Sequence, residues 1–322
     1  MRALPKISIV MPVLNRGDTI EKSLQSIAAQ NYPNLELIIM DGGSNDATLT
    51  VINRYPSLVT LLQSKKDPGP LYAINAGIAL ATGDLICQLM ADDWFEPGIL
   101  QKVAECYAAN PHLDIVTCGG RIVTYTDENK LVTLKIFNTA EQLALTFNNV
   151  CFGASAICCR FITKSFYQRN GLYFPLNYRN QAWLSSDKEF LLRAILNNVN
   201  EQFIHALGYN YFAHAASSTF GNNRKNIIKM CEEHMDMAQD YLKNKSLNWQ
   251  QWIILHYWSN EQRTRLFVYL LLENKYRDAL QVGGQGLRQY NIFFLGIFLA
   301  TSVKVAWKKS WRWLSSHVNR RV

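Results

Sequence analysis

Three short, largely apolar, β-prone runs constrain this chain most, because each is followed at once by a polar, glycine-rich or acidic cluster. Residues 6–13 (KISIVMPV), 35–40 and 85–90 are these runs. A strand buried on one face alternates apolar and polar residues, whereas a strand buried on both faces does not. Between the runs, Ile20, Leu24 and Ile27 recur at helical spacing up to about Gln30. A short helix over 47–55, a strand over 58–62 and a helix over 71–81 follow. This β-α-β-α order at short spacing predicts a mainly parallel sheet covered by helices. In such sheets ligands gather at the carboxyl ends of the strands. Asn15-Arg-Gly-Asp18, Asp41–Asp46 and Asp92-Asp93 fall at those ends.

Local signals fill in the rest. Asp18-Thr-Ile-Glu21 has the form of a capping box, and Ser186 with Glu189 forms a second. Ile115–Cys118 is a further strand, residues 121–136 predict a β-hairpin turning at Asp127–Lys130, a helix is expected over 186–196, and strands over 202–213. From about residue 222 the pattern stays helical. The boundary is placed at Gly221-Asn-Asn223, giving regions 1–222 and 223–322.

Hydrophobic residues make up 48% of the 322 and charged residues 18%, a balance that excludes a disordered chain. The seven cysteines are odd in number and lack CxxC spacing. They argue against a disulfide framework or structural zinc site and for a reducing compartment. Ile7–Leu14, broken by Pro12, is too short for a signal peptide or a spanning helix.

Charge is uneven. Residues 1–222 hold 17 basic and 18 acidic side chains, residues 223–322 hold 16 and 7, and no acid follows Asp278. An apolar run, Ile292–Val303, leads into Lys304–Leu314, where three Trp mix with four bases. The run falls short of the roughly 20 residues a span needs. Trp and Lys/Arg at the end of an apolar run suit a membrane surface better than nucleic acid, a core helix with a solvated end being the alternative. The expectation is peripheral contact through 288–322, on the inner face of the plasma membrane of a cytoplasmic protein.

No GxGxxG follows the first strand and no GxxxxGK[ST] occurs anywhere, so the usual dinucleotide and P-loop signatures are absent. Any bound phosphates must be neutralised otherwise. Asp92 and Asp93 repel each other, and a divalent cation relieves that repulsion. Mg²⁺ or Mn²⁺ is commonly held by one or two carboxylates plus substrate phosphates. Helix capping ahead of Glu96-Pro97 is the plainer reading of the pair. Asp41 could accept from a base or ribose, or begin a turn. Asp187 could act as a general base or complement a helix dipole. His214 could bind metal or be a satisfied loop histidine.

Six segments, in order, carry a resemblance: Ile7-Ser-Ile-Val-Met-Pro-Val-Leu-Asn15, Gln30-Asn-Tyr-Pro-Asn-Leu-Glu36, Asp41-Gly-Gly-Ser-Asn-Asp-Ala-Thr48, Asp67-Pro-Gly-Pro-Leu-Tyr-Ala-Ile-Asn75, Ala81-Thr-Gly-Asp84 and Ala91-Asp-Asp-Trp-Phe-Glu-Pro97. Together they resemble the family 2 glycosyltransferases of bacterial polysaccharide assembly. The resemblance implies a GT-A nucleotide-sugar-binding fold followed here by a helical C-terminal region. It also implies inverting transfer of a sugar from a UDP, GDP or TDP donor to an acceptor hydroxyl, helped by Mg²⁺ or Mn²⁺, with a glycan or lipid-linked acceptor. It implies that Pro12 and Asn15 line the nucleotide pocket, that Asp41 reads the base, and that Asp67 lies in the loop closing over the nucleotide. It further places Asp92 near the ribose and sugar, Asp93 on the metal with His214 as a further metal contact, and Asp187 as catalytic base.

The chain departs from the family pattern at Gly42, Ala73, Ala76 and Ala91, where a frequent Asp, Asp, Lys and Asp are replaced. A nucleotidyltransferase making nucleotide-sugars is a competing reading, but it would carry a Gly-rich basic loop after the first strand. A non-catalytic binding protein of the same fold is another. The joint presence of Asp41, Asp93 and Asp187 argues against it.

Overall fold

A computed structural model describes residues 4–288, other than 172, 179–180, 215–223 and 245. The chain divides into two compact units, residues 1–220 and 221–322. The membrane-contact stretch expected at 288–322, apart from Arg288, and the boundary at 221–223 lie outside the described residues.

In the first unit, β1 (Ile7–Val13) leads to helix α1 (Ile20–Ala28), β2 (Leu35–Asp41), helix α2 (Thr48–Ile52), β3 (Leu61–Ser64), helix α3 (Pro70–Leu80), β4 (Leu85–Gln88) and β5 (Trp94–Phe95). Helix α4 (Ile99–Ala109), the hairpin β6 (Ile115–Tyr125) and β7 (Leu131–Phe137), and helices α5 (Ala140–Leu143) and α6 (Phe147–Phe152) follow. The unit closes with β8 (Arg160–Thr163), helix α7 (Lys164–Asn170), the two-residue strands β9 (Asn177–Tyr178) and β10 (Gln181–Ala182), helix α8 (Ser186–Leu196) and β11 (Glu201–Phe212). The main sheet runs β3-β2-β1-β4-β8-β6-β11-β5, with β7 added to β6.

β3, β2, β1 and β4 are mutually parallel, and so are β6 and β11. β1 and β4 are buried along their whole length, as continuous apolar runs require. β5, β7 and β8 run against their neighbours. β7 must do so, because a turn as short as 126–130 can join only antiparallel strands.

Helix α3 approaches β1 closely because it carries glycine at the contact. A Cβ on Gly77 would lie 2.4 Å from Val10 Cγ1. At the amino ends of the strands Glu36 ties three segments together. It accepts from Ser8 Oγ at 2.5 Å, Lys6 Nζ at 2.9 Å, Thr82 Oγ1 at 2.5 Å and Thr82 N at 2.8 Å.

Neither expected capping box forms. Helix α1 is preceded by Thr19 and helix α8 by Ser185, and neither makes a side-chain cap bond. Groups near these helix starts go to other partners instead: Thr19 Oγ1 donates to Ala91 O at 3.1 Å, and Glu189 pairs with Arg193 one turn further along the same helix. The strands expected over 202–213 are one strand, β11.

The second unit holds helices α9 (Arg224–Leu242) and α10 (Trp249–Leu272), followed by helix 276–288. Ile228, Cys231, Met235, Leu266, Leu270 and Ala279 form its core. Asn248 and Gln251 make a true capping box at the start of α10. Among the described residues no helix is long and apolar enough to cross a membrane.

Candidate active site

The loops leaving β1 and β2 are laced together by side chains. Asn15, in the left-handed region at φ 51°, donates its N–H to Ser44 Oγ at 2.8 Å, and its Oδ1 accepts from Asn45 N at 2.9 Å. Asn is one of the few residues that tolerate this backbone state. Arg16 N donates to Thr48 Oγ1 at 2.7 Å and Gly17 N to Asp46 Oδ2 at 3.0 Å. Asp46 is therefore a loop brace.

A cleft of about 470 Å³ opens beside these loops. Pro12, Asn15, Arg16, Asp67, Asp92 and Asp93 are among the residues lining it. A second cavity of about 280 Å³ adjoins it through Asp67 and Ala73 and is bordered by Asp41, Lys65, Lys66 and Tyr72. Five of the expected residues thus meet on one cleft, with Asp41 on its neighbour.

Asp41 is 2% exposed and accepts from Gly43 N, Ser44 N, Ser44 Oγ and Ser64 Oγ, so it organises the turn it stands in. Asp67 Oδ1 accepts from Gly69 N at 2.8 Å, ahead of the helix start at Pro70. Gly42 is explained by Asp67: a Cβ there would lie 3.3 Å from its carboxylate, so a second Asp at 42 would set two like charges together.

Asp92 and Asp93 do not cap a helix, since α4 starts only at Ile99, with Gly98 as its cap and β5 in between. Helix α1 holds the acidic turn from behind, through Ser23 Oγ donating to Asp93 O at 2.6 Å. The two side chains then part. Asp92 Oδ2 meets His214 Nε2 at 3.0 Å and Arg16 Nε at 3.8 Å. Asp93, 1% exposed, closes the back wall. It accepts from the Tyr209 hydroxyl at 2.5 Å and from Phe212 N at 2.7 Å, both on β11. Burial, then the like charge of Asp92, pushes the Asp93 carboxyl well above the usual carboxylate range, against those two bonds.

That environment fits a divalent cation. A cation would relieve both the desolvation and the like charge, and carboxylate oxygens suit Mg²⁺ or Mn²⁺. Among the described residues no group of three His, Cys, Asp or Glu is gathered closely enough to hold a metal alone. Donor phosphates would have to complete the shell.

Asp187 sits in the first turn of α8, where its carboxylate accepts from Ser155 Oγ and from Lys188 N. It is not among the residues lining the cleft. Burial, then Asp93 and more weakly Asp187, pushes the Cys158 thiol well above its ordinary value.

Sequence reasoning missed Tyr209, Arg16 and Ser44. Tyr209 lies 116 positions beyond Asp93 in a strand of unremarkable composition, so no local signal could have found it.

This mixed sheet, with an acidic cleft at the ends of its parallel strands, defines a GT-A protein. Residues 8–168 match Glycosyl transferase family 2, and the chain belongs to that family. It is 32% identical over 123 residues to the putative glycosyltransferase EpsE of Bacillus subtilis, covering 37% of this chain and 44% of EpsE. It is 36% identical over 118 residues to a PGL/p-HBAD biosynthesis glycosyltransferase of Mycobacterium bovis, covering 35% and 46%. The chain thus spans less than half the length of these two relatives.

Solved structures share the fold. S. aureus TarS 1–349 in complex with UDP-GlcNAc superposes with a TM-score of 0.62 at 16% identity, covering 95% of this chain and 92% of that one. The mannosyltransferase PcManGT of Pyrobaculum calidifontis, in complex with GDP-Man and Mn²⁺, gives 0.60 at 16%, covering 98% and 84%.

Proposed function

We propose that residues 1–222 form an inverting glycosyltransferase domain that moves a sugar from a nucleotide-diphosphate sugar to an acceptor hydroxyl. The acceptor is a glycan, carried on a membrane lipid in cell-surface polysaccharide synthesis. One observation carries this reading above the others. Pro12, Asn15, Asp67, Asp92 and Asp93, drawn from three separate stretches of sequence, line one cleft in a family 2 chain.

Position in the cleft supports these roles. Pro12 and Asn15 form the nucleotide wall, Asp41 sets the base pocket, and Asp67 stands where the two cavities meet. Arg16 brings positive charge to the same cleft. Asp93 would hold Mg²⁺ or Mn²⁺ together with the donor phosphates, His214, which meets Asp92, would be a further contact, and Asp92 would face the ribose and sugar. Such a cation supplies Lewis-acid stabilisation of the departing diphosphate.

Asp187 removes the proton from the acceptor hydroxyl. The acceptor oxygen bonds to the anomeric carbon on the face opposite the leaving group, through an oxocarbenium-like state. The nucleoside diphosphate leaves with the electron pair of the broken C–O bond. Residues 288–322, basic and Trp-rich, bring the domain to the inner face of the plasma membrane.

Thermal shift with UDP, GDP and TDP, with and without Mn²⁺, is the first test. Stabilisation by one nucleotide that grows with Mn²⁺ is expected. Mass spectrometry of donor and acceptor then follows transfer. The reading fails if no nucleotide binds, or if the bound donor is neither transferred nor hydrolysed. A folded Asp187→Asn variant with near-normal transfer would remove Asp187 from the base role.

A further inference from the structure

Asn75 lies on α3, whose first turn lines the donor cleft through Pro70 and Ala73. Its side-chain amide pairs with both backbone groups of one distant residue. Asn75 Nδ2 donates to Phe174 O at 2.7 Å, and Phe174 N donates to Asn75 Oδ1 at 2.9 Å. This is the bonding a neighbouring strand would offer, supplied here by one side chain.

The segment it grips is fixed on its other side to α8. The Phe174 ring stacks on Phe190, with centroids 4.6 Å apart and planes 10° apart. Arg193 Nη2 donates to Tyr173 O at 2.5 Å, and Arg193 also pairs with Glu189. Phe190 and Arg193 belong to the helix whose first turn carries Asp187. Phe174 is 2% and Phe190 0% exposed, so the ring stack is buried, while the Asn75 pairing is part-buried and the Arg193–Tyr173 bond lies at the surface.

We propose that Asn75 is a positioning residue that couples the donor wall at α3 to the placement of Asp187 on α8. The inference rests on the reading of Asp187 as the base. Small displacements of a reacting group cost rate rather than binding. Replacing Asn75 leaves the cleft lining intact and frees the Tyr173–Phe174 segment from α3.

The test compares wild type, Asn75→Leu and Phe174→Leu in the full chain. Steady-state transfer is measured together with hydrogen–deuterium exchange over residues 186–192. Phe174→Leu keeps the backbone pairing but loses the ring stack, so it reaches the same link by another route. Both variants are expected to lower kcat by about tenfold or more with donor KM changed less than about threefold. Thermal shift by the nucleotide should persist, and exchange over 186–192 should quicken. Unchanged kcat in folded Asn75→Leu overturns the proposal. So does a fall in kcat/KM that comes wholly from KM, which would confine Asn75 to the donor wall. If wild type binds donor but transfers nothing, the transferase reading fails on its own. The exchange comparison then decides the coupling, and unchanged exchange over 186–192 overturns it.

Discussion

Replacing Glu36 by Gln should cost stability in a pH-dependent way. Glu36 is 5% exposed and lies at the opposite end of the sheet from the cleft. Burial alone would raise its pKa. The bonds from Ser8, Thr82 and Lys6 overcome that and lower it from 4.5 to about 2. At about 1.4 kcal/mol per pH unit the difference is worth about 3 kcal/mol. Because the folded pKa is the lower one, this stabilisation is present above about pH 4.5 and is lost as pH falls through about 2. Gln keeps the shape and removes the charge. Urea unfolding of wild type and Glu36→Gln, followed by circular dichroism from pH 7 to pH 3, should show a gap of about 3 kcal/mol that narrows as the pH drops. In a melt at pH 7 the midpoint should fall by about 6–12 °C for a unit of this size. A gap as wide at pH 3 as at pH 7, or one below about 0.5 kcal/mol throughout, would refute the electrostatic account.

Gly77→Ala should destabilise by about 1–3 kcal/mol, because its methyl group would meet Val10 at 2.4 Å; a denaturation midpoint no lower than wild type's contradicts the close packing of α3 on β1. Tyr209→Phe removes the hydroxyl donor to Asp93 and should weaken Mn²⁺ affinity in the presence of nucleotide by about tenfold, read by calorimetry. Affinity equal to wild type's would mean that Tyr209 does not set the Asp93 carboxylate. Deleting residues 288–322 should release the protein from vesicles containing anionic lipid, measured by co-flotation, and binding undiminished by the truncation counts against membrane contact through that stretch.

In the parallel half of the sheet β1, β2 and β4 were legible because they are buried on both faces. Continuous apolar runs such as 6–13 leave periodicity little choice, and the acidic clusters mark their ends. The reversed strands were less so. β8 is four residues long and β5 two, too short to carry a period. Capping boxes misled because Thr19 Oγ1 goes to Ala91, far away in sequence, and Glu189 to Arg193 in the next turn of its own helix, and neither partner lies within the four-residue motif. At the site, Pro12, Asn15, Asp67, Asp92 and Asp93 were legible as a set because each lies near a strand's carboxyl end or in a recognisable loop. The grip of Tyr209 on Asp93, and that of Asn75 on Phe174, join positions about a hundred residues apart. Nothing in the local sequence announces them.

All seven cysteines are free thiols, and five of them are buried. Burial lifts Cys151 to about 12 and Cys231 to about 11, and pushes Cys87 well above its ordinary value. Thiolate, the form that attacks electrophiles, is thereby nearly absent while the chain stays closed. Alkylation therefore becomes a clock for breathing. Cys231 keeps time for the helical unit and Cys87 and Cys151 for the sheet unit, so one reagent and a mass spectrometer can rank how often each opens.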